Sequence, residues 1–129
     1  MNAKDFMVSH ERTTEFKSDG LRNFFVYRDL GIKAATKGQV LAHVLRAVPG
    51  AHFKGKPHLH AHQFQMVYVL KGWIRFQYEG QPEEITLTAG SCAYQPPSLN
   101  HKEIAHSDDL EMLEIVLPAD FETKLVPEV

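Results

Sequence analysis

The chain has 129 residues, a formal net charge of −2, 23% charged side chains and one cysteine. That length suits one domain whose core needs neither disulfides nor a structural metal, so residues 1–129 are read as a single domain. The weak net charge gives no field for a nucleic-acid backbone or an anionic membrane, Cys92 has no partner for an internal disulfide, no stretch has signal-peptide order, and no apolar run approaches bilayer thickness; the expectation is a soluble, cytoplasmic protein with no nucleic-acid or membrane partner.

Residues 1–20 mix charged and small side chains without a period and read as an arm or a loosely attached leader. Residues 22–28 (RNFFVYR) and 39–48 (QVLAHVLRAV) read as strands, the second closed by Pro49-Gly50. Shorter strands follow over 56–60, 64–70, 73–78, 84–87, 91–94, 101–105 and 110–117. They are separated by Lys71-Gly72, Glu79-Gly80-Gln81-Pro82, Ala89-Gly90, Pro96-Pro97-Ser98 and Ser107-Asp108-Asp109. Short strands without helical crossovers predict an antiparallel sandwich or barrel, all-β, with its core over 40–117. A helical turn is expected only in the tail after Pro118.

Side chains two apart on a strand share a face, so His58 and His60 can aim into one cavity. Gln65, Val67 and Val69 share a face opposite Met66, Tyr68 and Leu70. His101 follows a loop stiffened by two prolines. Tyr68, Trp73, Phe76, Tyr94 and His43 are candidates for a substrate pocket, although aromatics on strands are more often core or interface. His10, His52, His106 and, less firmly, His43 read as structural or exposed, His62 as a loop histidine outside the cavity, and Cys92 as inert packing. Glu103 stands two residues beyond His101 and is a reserve acid/base candidate.

Residues 58–72 (HLHAHQFQMVYVLKG) resemble the first cupin motif, H-x-H-x(3,4)-E-x(6)-G, and residues 90–101 (GSCAYQPPSLNH) are similar to the second, G-x(5)-P-x-G-x(2)-H-x(3)-N. The resemblance implies a double-stranded β-helix, or jelly-roll barrel, in which His58, His60, His101 and the residue at 65 hold one divalent transition metal. Iron is the leading choice, with Zn, Mn, Ni, Co or Cu compatible with imidazole ligands. Three positions depart from the pattern: Gln65 replaces a glutamate, Ser98 a turn glycine and Ala105 an asparagine. Gln65 either ligates through its amide oxygen or orients a bound water, and His62 is the alternative fourth ligand.

A metal held by three imidazoles and an amide keeps both positive charges, which favours anionic chelating substrates such as a β-diketone, a hydroxyketone or a phenolic compound. The expected function is therefore a metal-dependent dioxygenase, with hydrolytic carbon–carbon cleavage as a variant, and with Gln65 and Glu103 as the catalytic candidates. The alternative is a binding or sensing module without turnover, since a fold does not fix a function. An isomerase is a weaker third reading, because it needs an acid/base pair that the sequence does not locate. The aromatic strand at 22–28 suggests a sheet edge through which a homodimer forms.

Overall fold

The alternation of residues 64–71 decides which side of the barrel is the inside: Gln65, Val67 and Val69 are buried at 2%, 1% and 0% exposure, while Tyr68 and Leu70 stand out at 38% and 49%. The computed structural model describes residues 6–18, 24–51, 58–61, 63–119 and 122–125, with the segments at 58–61 and 122–125 described through their backbone pairing. Among these lie the strands β1 (Phe25–Asp29), β2 (Leu41–Ala47), β3 (His58–Ala61), β4 (Phe64–Lys71), β5 (Trp73–Tyr78), β6 (Ile85–Thr88), β7 (Cys92–Tyr94), β8 (His101–His106), β9 (Glu111–Leu117) and β10 (Glu122–Leu125).

They form two five-stranded sheets, ordered β1-β2-β9-β4-β7 and β10-β3-β8-β5-β6. Every strand pairing is antiparallel. This is the antiparallel all-β architecture that the strand pattern predicts, in the jelly-roll form that the motif resemblance implies. Strands adjacent in sequence often lie in different sheets, so β4 and β5, joined at Gly72, turn the chain from one sheet to the other.

Between the sheets Phe25, Leu45, Val67, Val69, Ile74, Phe76, Leu87, Leu110 and Met112 make one apolar cluster. Burying each large side chain contributes roughly 1.5–3 kcal/mol before entropy is set against it. Registers show how the interior is graded along the strands. In the first sheet Val69 faces Met112 and Leu45 faces Met112, whereas nearer the other end Val67 and His43 both face Glu114, and Gln65 faces Val116. In the second sheet Ile74 faces His106, while Phe76 faces Glu103 and Tyr78 faces His101. One end of the barrel is therefore lined mainly with hydrocarbon, with His106 among it, and the other carries most of the polar groups.

A register shift at Arg75/Phe76 leaves β8 with one extra residue. Because of it His101, Glu103 and His106 are all buried, at 5%, 5% and 3%, although strict alternation would turn His106 outward.

Three expectations need correction. Helical turns are not confined to the tail: among the described residues they stand at Glu11–Thr13, a 3₁₀ turn, and at α1 (Ile32–Ala35), bracketed by Gly31 and Gly38, while in the tail β10 pairs with β3. The N-terminal arm is attached to the barrel: Lys17 and Tyr27 exchange backbone hydrogen bonds of 2.7 and 2.8 Å, and the Ser9 hydroxyl donates to the Leu30 carbonyl at 2.8 Å. The β1 edge, expected to serve a second copy, is thus partly taken by the chain's own arm. Among the described residues no helix is long and apolar enough to cross a membrane.

Candidate functional site

At the polar end of the barrel, β3 and β8 meet at a single pair of opposed positions, His58 and His101. The register thus brings together the two halves of the predicted ligand set, which are far apart in sequence. The side chains of His58 and His60 lie outside the described residues, as does His62. Among the described residues no three His, Cys, Asp or Glu side chains form a metal-binding cluster.

The fit of the site to a metal can be tested on His101. Its Nδ1 lies 3.0 Å from the Leu99 carbonyl oxygen. A carbonyl only accepts, so Nδ1 carries the hydrogen and, in the neutral ring, Nε2 carries the lone pair. That is the arrangement by which a ligating histidine is oriented through its other nitrogen. The ring is buried against Phe76 and Tyr78, with centroids at 6.2 and 6.1 Å, which limits its freedom to swing away. The donor chemistry suits a divalent transition metal, with His101 presenting Nε2 and Gln65 able to offer an amide oxygen.

Gln65 is held by Glu114. Its Nε2 donates to Glu114 Oε2 at 2.7 Å, and Glu114 Oε1 is 2.7 Å from His43 Nε2. The Tyr27 ring packs against His43 with centroids 4.9 Å apart. Replacing a ligand carboxylate by Gln65 therefore does not leave this part of the interior without a carboxylate. The expected ligand set still contains no carboxylate, but an acid stands one hydrogen bond behind its amide. The sequence reading also lacked an acid/base pair, and the His43–Glu114 contact is a histidine–carboxylate pair on the inner face.

Glu103 shares the buried face of β8 with His101, as strand parity suggests. Burial of the Tyr78 phenol raises its pKa to about 12, a hydrogen bond from Gln95 pulls the other way, and the negative charge of Glu103 adds a smaller upward push. The Gln95 side chain donates to the Tyr78 hydroxyl at 2.9 Å, while its backbone N–H donates to the Gln65 carbonyl at 2.9 Å. Gln95 is the tie between Gln65 on one sheet and the Tyr78–His101 rung on the other.

Of the pocket candidates, Phe76 is buried beside His101, and His43 lies on the inner face. Tyr68 and Tyr94 are exposed at 38% and 58%, and Trp73 packs on Arg75 at 5.2 Å, on the face of β5 opposite buried Ile74 and Phe76. Those three aromatics point away from the interior. Sequence reading missed Glu114, Tyr78 and Gln95. Parity could have found Tyr78, which shares a face with Ile74 and Phe76.

Residues 44–116 match the family model described as "Cupin domain". Among solved structures, KdgF from Halomonas sp. is 20% identical, with 87% of this chain and 94% of that one covered at a TM-score of 0.69. The polyketide cyclase RemF from Streptomyces resistomycificus is 14% identical, with 96% and 87% covered at a TM-score of 0.74. An oxalate decarboxylase from Bacillus subtilis, described with Mn(II) centres, is 16% identical over 81% of this chain and 29% of its own, at a TM-score of 0.62. No curated protein matches the sequence closely.

Proposed function

The chain belongs to the cupin family, and from that premise we propose that it is a metal-dependent enzyme acting on a small anionic chelating compound, a β-diketone, hydroxyketone or phenolic. The observation that supports this reading is the orientation of buried His101, whose Nδ1 faces the Leu99 carbonyl, so that Nε2 would be the atom offered to a metal. His58 and His60 on β3, His101 on β8 and Gln65 on β4 would hold the ion. When bound, a divalent metal supplies Lewis acidity that gathers two oxygens of a chelating substrate and makes their carbon acid easier to ionise.

The protein's own groups then favour proton transfer and carbon–carbon cleavage over dioxygenation within this reading. Glu103 is a buried carboxylate on the face of His101 and is the candidate to take and return a proton, while the His43–Glu114 pair, joined across 2.7 Å, stands behind Gln65. Tyr78 stays protonated in the neutral range, its neutral hydroxyl accepting from the Gln95 amide at that end of the barrel. Phe76 excludes water beside His101. Two of the similar structures, a polyketide cyclase and an oxalate decarboxylase, are named for compounds that chelate through adjacent or alternate oxygens, which agrees with the substrate class.

The test is reconstitution with Fe(II), Mn(II), Ni(II), Co(II) and Zn(II), then assay against a panel of β-diketones, 2-hydroxyketones and catechols with and without dioxygen. Anaerobic turnover, lost in His101→Ala, supports the proton-transfer form, and turnover only under oxygen supports a dioxygenase. Tight binding without turnover under either atmosphere makes the protein a binding module instead. A homodimer belongs to the same proposal, its contact moved from the β1 edge to the outer face of β4 and β7, where Leu70 and Tyr94 are exposed. A sedimentation velocity experiment giving only monomer at micromolar concentration would remove that part.

A further inference from the structure

We infer that Glu114 is a positioning residue for the candidate metal site: it fixes which end of the Gln65 amide faces the cavity, and His43 fixes Glu114. This rests on the reading that the site binds a divalent metal.

A primary amide has two ends of nearly equal size and opposite polarity. At a cation site only the carbonyl end is useful, because the NH2 end presents positive charge to the ion. Packing alone discriminates poorly between the two orientations, so a glutamine ligand needs a partner that accepts and never donates. An ionised carboxylate is such a partner. The 2.7 Å contact from Gln65 Nε2 to Glu114 Oε2 admits the NH2 end alone, and therefore turns Oε1 away from Glu114. Burial of Gln65 at 2% exposure makes the alternative orientation costly, since two oxygens would then face each other in a site with little water.

Glu114 is held in turn. Its other oxygen is 2.7 Å from His43 Nε2, and a carboxylate oxygen there requires a hydrogen on that nitrogen. The backbone prepares the relay, because His43 and Val67 are both register partners of Glu114, on the strands to either side of it. Gln65 is one step along β4 on the same face. The Tyr27 ring closes the far side of His43 at 4.9 Å. Hydrogen bonds in this row run in one direction, from His43 and Gln65 into Glu114, so the charge on Glu114 also polarises the Gln65 amide and makes its oxygen a stronger donor to a cation.

The experiment is Co(II) binding to the full chain, followed by competition with a chromophoric chelator and by the visible d–d spectrum. Wild type should bind one Co(II), and His101→Ala should lose it; failure of the wild type to bind overturns the metal reading and this inference with it. Given binding, Glu114→Gln should weaken affinity by about 10–100-fold and alter the d–d bands, since an amide at 114 accepts either end of Gln65. In a Gln65→Ala background the same substitution should change affinity little, because the effect passes through Gln65. An unchanged spectrum and affinity in Glu114→Gln, or an equal loss in both backgrounds, overturns the positioning role while leaving the metal reading intact. Should Glu114→Gln not fold, His43→Leu and His43→Gln provide the same comparison one bond further out. The leucine should weaken binding, and the glutamine, which still donates to Glu114, should restore it; equal affinities for the two overturn the relay.

Discussion

Gln95 donates its side-chain amide to the hydroxyl of Tyr78 across 2.9 Å, joining the loop after β7 to the last residue of β5 and so one sheet to the other. The bond is buried at the Gln95 end, and the phenol it meets has its pKa raised to about 12.

The direction of that change makes a pH prediction. The folded state holds the Tyr78 proton more tightly than the unfolded chain, whose phenol titrates near 10. Stability from this group is therefore complete below about 10 and is lost as pH rises toward about 12, with about 1.4 kcal/mol for each tenfold difference in proton affinity between the folded and unfolded chain. Spectrophotometric titration should show a late phenol step that is absent in Tyr78→Phe. In Glu103→Gln, where a neighbouring negative charge is gone, the same step should move to lower pH. A late step that survives in Tyr78→Phe would assign it elsewhere.

Gln65→Glu should create a problem rather than repair the motif. The new carboxylate would face Glu114 where an N–H now bridges 2.7 Å, and two ionised carboxylates at that distance cannot both keep their charge. One carboxyl should then titrate above its unfolded value. The metal-free variant is expected to match wild type at low pH and to lose roughly 1–3 kcal/mol as pH rises to neutrality, readable from urea midpoints at several pH values. A pH-independent difference would show that Glu114 moves away.

Gly72→Ala should destabilise by about 2–4 kcal/mol. Gly72 has φ of 76°, and a Cβ there would stand 2.6 Å from Asp109 Oδ1 and 3.0 Å from the Leu110 Cα, as well as against the Ser107 hydroxyl that accepts from the Trp73 N–H. The turn that carries the chain between sheets has no room for a side chain. A midpoint within error of wild type would mean that the loop at 107–110 yields.

Ser98→Gly should act in the opposite direction. Ser98 is exposed and has φ of 62°, a conformation that costs a side-chain-bearing residue roughly 1–2 kcal/mol. Glycine removes that cost but adds freedom to the unfolded chain, so a net gain of about 0.5 kcal/mol is expected in thermal or urea unfolding. Loss of stability would mean that the serine side chain contributes through contacts of its own.

Most strands were legible because alternation and turn residues agree, as in 64–71, where the register of Gln65, Val67 and Val69 follows from parity alone. The stretch at 110–117 was harder. Its outer positions, Leu113 and Ile115, are as apolar as its inner ones, so Glu114 reads as a solvent-facing acid when it is in fact directed inward between Met112 and Val116. The strand at 122–125 is short and charged, and only its pairing with β3 gives it a place. Likewise the edge expected at residues 22–28 was compromised by an arm that has no period of its own and adheres through backbone atoms. Ser98 and Gly72, by contrast, were identified from the motifs, and their positive φ angles match the turns those positions imply.

The extra residue in β8 separates two jobs that a regular strand would have tied together. Ahead of it, His101 and Glu103 keep a spacing of two and meet Tyr78 and Phe76; beyond it, His106 meets Ile74 and lies among Phe24 and Phe25. Deleting Ile104 or Ala105 would restore simple alternation only by setting these halves against each other. Either His106 would be drawn out of the aromatic end, or the rung shared by His58 and His101 would slip against β3. The irregularity works as a phase adjuster between the mainly apolar end of the barrel and its chemical end.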